Sequence, residues 1–419
     1  MEKSGKFRLT SLERNWILYD VGNSAFVLMV ATLIPIFFNA LAESGGLSSV
    51  EYLAYWGYAS SAVTVITAVL SPILGTVADT KGFKKPIFIL CVFVGIVGCC
   101  AMGAVSAWLP FLVIFVIAKV GFSGSLVFYD SMLSDVTTPE RMDEVSSRGY
   151  AWGYIGSCVP FVVCLCLVLG AGSIGISQMT ALNLALLLTA AWWLLTTLPL
   201  LKSYKQLYYV EVEKHAVRQS FARIGHTLRH LPEDKQVFWF LLAFFCYIDG
   251  VYTIIDMATA YGTALGLDTT GLLLALLVTQ IVAFPSALIF GRLSNKYPSA
   301  KLIPVCIAAY AGIAVFAFFL TRQWQFWVLA VIVGMFQGGV QALSRSHFAK
   351  IIPPEKSGEY FGLFDICGKG ASFLGTMIVS VGSQLTGSAN VGVGSLIVLF
   401  IVGFVLFRVS CRTEDAKQV

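Results

Sequence analysis

Eight charged residues stand well inside long apolar runs of this chain: Asp20, Lys119, Asp130, Asp249, Asp256, Arg345, Asp365 and Lys369. A charge at that depth costs a few kcal/mol or more, so each marks a place where charge is used. Five acids against three bases leave the interior negative, and a proton, a bound cation or the cationic group of a solute balances the excess. Helical phase sorts these groups into stripes. At about 100° per residue, Lys119 and Asp130 share one face, and Asp249 and Asp256 share another. Gln337, Gln341 and Arg345 recur every fourth residue, Asp365 and Lys369 are four apart, and Trp16, Asp20 and Asn23 fall on one side of the first run. Such stripes suit the binding of a small zwitterion: Lys119 or Arg345 takes a carboxylate, and Asp249 or Asp130 takes an ammonium.

The elements that carry these groups are membrane helices. With 57% hydrophobic residues, 12% charged residues and a mean hydropathy of +0.80 over 419 residues, a soluble globular protein is excluded. Six apolar spans lie at roughly 16–41, 51–78, 86–106, 109–136, 147–170 and 178–201. Six more lie at roughly 236–264, 270–292, 301–320, 323–351, 357–384 and 390–411. Each is long enough to cross a hydrocarbon core of about 30 Å. The expected fold is all-α, a polytopic membrane protein of twelve helices in two six-helix bundles, 1–201 and 236–419. The hydrophilic segment 202–235 joins them. Its Val217, Phe221, Ile224, Leu228 and Leu231 form one apolar stripe, which predicts an amphipathic linker helix on the membrane surface or against the bundle. His226 and His230 are four apart but lack a third ligand, so no metal site is expected.

Basic residues set the orientation. With both termini on one side, that side holds 24 of the 28 Lys and Arg residues, including those of 1–14, 81–85 and 202–235, whereas the opposite side holds only Arg322. Both termini are therefore expected in the cytoplasm, and the first span is expected to be uncleaved. The formal charge of +5 is scattered rather than massed, which argues against a nucleic-acid partner. Ten cysteines fall in or beside apolar runs and read as free thiols. No nucleotide loop, zinc-protease motif or serine elbow occurs, so neither an enzyme nor a cofactor is expected. Trp192, Trp193, Trp324 and Trp327 read as interfacial anchors, Asp135 as a solvated residue at a span end, and Pro35, Pro160 and Pro285 as points of bending.

The chain also repeats itself. Gly75-Thr-Val-Ala-Asp79-Thr-Lys-Gly82-Phe-Lys84-Lys85 follows the second span, and the degenerate Gly291-Arg-Leu-Ser-Asn295-Lys follows the eighth, an offset of 216. Pro139-Glu-Arg and Pro354-Glu-Lys, before the fifth and eleventh spans, are 215 apart. Two parallel-related halves follow from this. The first loop resembles the signature loop of the major facilitator superfamily. In this tight turn Gly75 permits close helix contact, Asp79 bonds a neighbouring helix end or base, and Lys84 and Lys85 sit at headgroups. A narrower resemblance rests on Tyr19-Asp20-Val-Gly-Asn23-Ser24, Phe128-Tyr129-Asp130-Ser131, Arg148-Gly149-Tyr150, Ser344-Arg345-Ser346 and Phe361-Gly362-Leu-Phe-Asp365. These segments are similar to the autophagy-related vacuolar amino-acid effluxers of fungi and their bacterial relatives.

The superfamily resemblance implies that the first, fourth, seventh and tenth helices line a central cavity. Lys119, Asp249, Gln337, Gln341, Asn23 and Trp16 are then expected at the substrate. Arg345 with Asp20, Asp130 or Asp365 is expected to form a gate or coupling network. The pair Asp365 and Lys369 reads equally as part of that network or as a structural bridge. The expected function is proton-coupled secondary transport, as symporter or antiporter, of a small zwitterionic, amino-acid-like solute by a monomer in a bacterial-type plasma membrane. The alternatives are a carrier of peptides, cell-wall fragments, lipids or drug-like amphiphiles and, more remotely, a membrane-embedded enzyme or sensor.

Overall fold

In a computed structural model, described for residues 7–211, 225, 227 and 229–415, the chain is helical almost throughout. The helices are α1 (Ser11–Ala31), α2 (Leu33–Ser44), α3 (Ser49–Ala78), α4 (Lys84–Met102), α5 (Trp108–Ser131), α6 (Leu133–Val136), α7 (Met142–Leu169) and α8 (Gln178–Ser203). The second half contributes α9 (Lys235–Ala264), α10 (Thr269–Leu293), α11 (Ser299–Phe318), α12 (Gln323–Ile351), α13 (Ser357–Thr386), α14 (Ala389–Gly394) and α15 (Ile397–Asp415). Eleven spans among the described residues, with α1 and α2 counted as one, are long and apolar enough to cross a bilayer. The 30-residue α13, packed between α3 and α9, is the twelfth. The linker stripe Val217 to Leu228 and His226 lie outside the described residues, as does the side chain of Lys369.

Local sequence explains the starts and breaks. Thr10 and Glu13 form a reciprocal capping box at α1, Ser48 and Glu51 do the same at α3, and Asp268 caps α10 through the Gly271 N–H. The first span breaks at Thr32 because Pro35 has no N–H to offer the Ala31 carbonyl. The helices containing Pro160 and Pro285 continue through those residues. Gly82 adopts φ 79°, a left-handed turn that lets α3 hand over to α4. Outward faces such as Leu90, Phe93 and Val97 of α4 are apolar and exposed, as a hydrocarbon solvent requires.

The halves meet along two seams, α3 against α13 and α7 against α10 and α12. Small residues bring the backbones together. Gly75 abuts the Gly358 carbonyl, Gly362 abuts Ser71 and Pro72, and Gly291 abuts Ser147. The end of the molecule where α3 finishes and α13 begins also carries both described termini, and is called the basic end below. The opposite end is called distal. Trp193 departs from its expected interfacial place. It is fully buried between Phe26 and Phe122, with Gly95 making room for its ring, and the Trp192 indole N–H donates to the Val21 carbonyl. Helix packing outcompetes the interface for both rings. Trp324 remains exposed.

A side chain at Gly75 would strike the Gly358 backbone, whereas Gly57 has open space around it. Gly75→Val is therefore expected to destabilise the protein by about 1–3 kcal/mol. The check is a lower melting temperature in detergent, with Gly57→Val unchanged.

Candidate functional site

The basic end is tied by charged side chains aimed at helix ends. Asp79, just past the end of α3, accepts hydrogen bonds from the backbone N–H groups of Gly358 (2.7 Å) and Glu359 (2.8 Å). These belong to the first turn of α13, whose unsatisfied donors and dipole favour an anion. Lys84 lies 3.7 Å from Asp79, 3.5 Å from Asp135 and donates to Ser357 Oγ at 2.8 Å. Asp135 also accepts from the Tyr204 hydroxyl (2.6 Å) and from the Leu207 and Tyr208 N–H groups (both 3.0 Å). Two sequence expectations are corrected here. Lys84 is not at the headgroups and Asp135 is not solvated; Lys84 is buried with Asp79 and Asp135 as its counter-charges, and Asp135 with Lys84 as its own. Lys85 is half-buried.

The repeat builds a related contact on the other seam. Asn295 donates to Glu144 Oε2 at 2.7 Å, and Arg148 pairs with Oε1 of the same carboxylate at 2.6 Å. Lys350 and Ser346 hold the two oxygens of Asp143, each at 2.6 Å. Ser146 donates to the Ala342 carbonyl at 2.8 Å.

Between the seams sits Arg345, only 2% exposed. Its Nη1 donates to Asp130 Oδ1 at 3.0 Å and lies 3.7 Å from Asp20 Oδ2. Nε and Nη2 donate to the hydroxyl (2.9 Å) and carbonyl (3.0 Å) of Ser146. Trp16 and Tyr150 stack against the guanidinium at 4.7 and 4.3 Å. Gly149 makes this possible, since a Cβ there would crowd Asp20, Arg345 and Trp16. Asp130 and Arg345 are 215 residues apart, the offset of the Pro139 and Pro354 loops. They stand at corresponding positions of the sequence repeat and bond to each other.

Above this cluster a cavity of about 380 Å³ runs toward the distal end between the halves. Asn23, Gln337 and Gln341 stand on its wall, as do Asp20, Asp130, Arg345 and Asp365. Gln341 Oε1 accepts from Tyr154, Asn23 donates to the Tyr19 carbonyl, and Asp365 accepts from Ser71. Three residues expected at the substrate stand behind the wall. Trp16 backs Arg345 and stacks on Tyr129 at 4.3 Å. Lys119 lies over the Phe122 ring at 4.7 Å. Asp249 is fully buried toward α13 and accepts from the Gly375 N–H at 2.9 Å. Asp256, seven residues on, is the α9 acid that reaches the cavity. The two share a helical face, but the lower part of α9 packs on α13 while its upper part borders the opening. Tyr150, Tyr154 and Tyr252 also line the cavity. In the sequence Tyr150 stands out only as part of the Arg148-Gly149-Tyr150 segment, and Tyr252 does not stand out.

The comparisons with known proteins agree with this architecture. The family described as "Vacuole effluxer Atg22 like" matches residues 11–140 and 134–418. The chain belongs to that family. A relative from Bacillus subtilis (strain 168), named an uncharacterized MFS-type transporter, YxiO, is 42% identical over 404 residues, covering 95% of this chain and 94% of that protein. Autophagy-related protein 22 of Coccidioides immitis is 25% identical over 335 residues, 68% of this chain and 55% of the fungal one, so this chain spans about half of that protein. Two solved structures share the fold. The human organic anion transporter MFSD10 has a TM-score of 0.71 at 14% identity, covering 94% of this chain and 98% of that one. The transporter FucP in its outward conformation has 0.70 at 16%, covering 96% and 97%. This Atg22-like protein is a membrane transporter of the major facilitator type.

Two outcomes follow for the Atg22-like site. Arg345→Ala strands Asp20 and Asp130 without their base, a loss of about 3–5 kcal/mol. The melting temperature in detergent is expected to fall steeply and to recover in part when Asp130→Asn is added. The second concerns pH. Burial pushes the Asp79 carboxyl from 3.8 up to about 7, against the pull of Lys84 and the two N–H groups. Opening the latch hydrates Asp79 and returns it toward 3.8, so the closed form holds its proton more tightly. Closed-latch stability is thus full below about pH 4 and declines as pH rises to about 7. Hydrogen exchange at the Gly358 and Glu359 amides, corrected for intrinsic rate, is expected to accelerate across that window and to lose this dependence in Asp79→Asn.

Proposed function

We propose that this protein is a secondary active transporter that carries a small zwitterionic, amino-acid-like solute by alternating access, coupled to protons. The observation that carries the reading is the floor of the cavity, where one guanidinium serves two carboxylates. Arg345 neutralises one negative charge of the Asp20 and Asp130 pair and leaves one over. A proton or a solute ammonium supplies the missing charge, and a solute carboxylate competes with the two acids for Arg345. Asn23, Gln337, Gln341 and Asp256 offer polar contacts along the wall. The Gln337 carbonyl oxygen, on this wall, has no hydrogen-bond partner among the described protein groups.

In this reading the bundles of residues 1–201 and 236–419 rock about the cavity as rigid bodies. The excess of Lys and Arg puts the basic end in the cytoplasm of a bacterial-type plasma membrane, with both termini inside. The structure then corresponds to an outward-facing state, its cytoplasmic floor closed by Arg345 and by the Asp79 and Asn295 contacts. Neutralising the Asp20 and Asp130 pair by proton and solute releases Arg345 and lets the floor part. The unit of transport is a monomer, and no cofactor takes part.

Uptake of a panel of radiolabelled amino acids, with peptides and amphiphiles as comparison, is the test in proteoliposomes. An imposed pH gradient is expected to drive at least one amino acid, and Asp130→Asn is expected to lower the driven rate by about tenfold or more, a cost above about 1.4 kcal/mol. Indifference to both the gradient and the substitution contradicts the reading.

A further inference from the structure

Resting on the alternating-access reading, we propose that Lys119 and Asp256 form the distal gate, an ion pair between the halves that closes when the contact of Arg345 with Asp130 opens. Helix α5 carries Lys119 and Asp130 eleven residues apart on one face, about 16 Å along the axis at ~1.5 Å per residue. The positive group is toward the distal end and the negative group toward the basic end. The second half presents the opposite order. Arg345 marks its basic level, and Tyr247 of α9 reaches that level, because its hydroxyl meets the Oγ of neighbouring Ser344 at 2.6 Å. Asp256 lies nine residues further along α9, about 13 Å toward the distal end at ~1.5 Å per residue.

Each half therefore offers the other one positive and one negative side chain, in complementary sequence along the cavity. The lower pair is bonded across the halves at 3.0 Å in this structure. In the upper pair Asp256 lines the cavity, and Lys119 stands behind the wall on α5 of the other half. Lys119 is held beside the rings of Phe122 and Phe26, 4.7 and 6.0 Å from their centroids, an apolar setting in which an ammonium gains from a carboxylate. Rocking that separates the lower pair swings the distal ends of α5 and α9 together. One ion pair is exchanged for the other, with Asp256 exposed in the cavity while the distal pair is open, so the two states stay close in free energy.

The full-length protein in lipid nanodiscs is the sample, with native cysteines replaced and spin labels at Glu43→Cys and Thr321→Cys. Both positions are exposed at the distal end, one on each half. Electron–electron resonance then reads the fraction of molecules with short, closed distal distances in the absence of solute. Asp256→Asn and Lys119→Gln are each expected to reduce the closed-to-open ratio by about fivefold or more, an effect near 1 kcal/mol. Asp256→Glu keeps the wild-type distribution, and the double exchange Lys119→Asp with Asp256→Lys restores it to within about twofold. Unchanged distributions in both neutral variants, or a double exchange no better than its single members, overturn the proposal while leaving the transport reading intact. A single invariant distance in the wild type overturns both.

Discussion

A guanidinium sealed between two bundles and shared by two carboxylates is the constraint on which the rest of the structure depends. A buried base without a counter-charge costs several kcal/mol, so Arg345 fixes where Asp130 and Asp20 must be, and with them the registry of α1, α5, α7 and α12. The stacked Trp16, Tyr129 and Tyr150 and the missing side chain of Gly149 all follow from the need to place a planar cation there. The arrangement is full of charge-assisted hydrogen bonds, yet it is one positive charge short. In the proposed function that shortage links closure of the site to the proton or solute bound there.

The sequence repeat bears on where the closure is placed. Asp130 and Arg345 stand at its 215-residue offset and bond to each other. On one seam Asp79 caps a helix directly, and on the other its counterpart in the repeat, Asn295, acts through the Glu144 carboxylate.

Much of this was legible in the sequence. Apolar runs and basic punctuation report the bilayer itself, so twelve spans emerged before any packing was known. The cavity charges were visible because a polar residue in hydrocarbon has no other reason to be there. Tertiary partners were less visible. Lys84 and Asp135 looked exposed because each stands at a span end, whereas Lys84 is enclosed by Asp79, Asp135 and Ser357, and Asp135 also takes bonds from Tyr204, Leu207 and Tyr208 as the linker returns. Asp249 was expected at the substrate and Asp256, on the same helical face, was not; depth along a packed helix decides that Asp256 is the one that meets the cavity. The partnership of Asp130 with Arg345 was written in the 215-residue offset, but an offset becomes a contact only once the packing is known.

The central claim is that Arg345, through Asp130 and Asp20, holds the basic end shut. Glu140 and Glu355 are exposed at that end, one on each half, and are suitable positions for a pair of spin labels. One short distance is predicted in the wild type and a broad, longer population in Arg345→Gln. A short distance that persists in Arg345→Gln would contradict it.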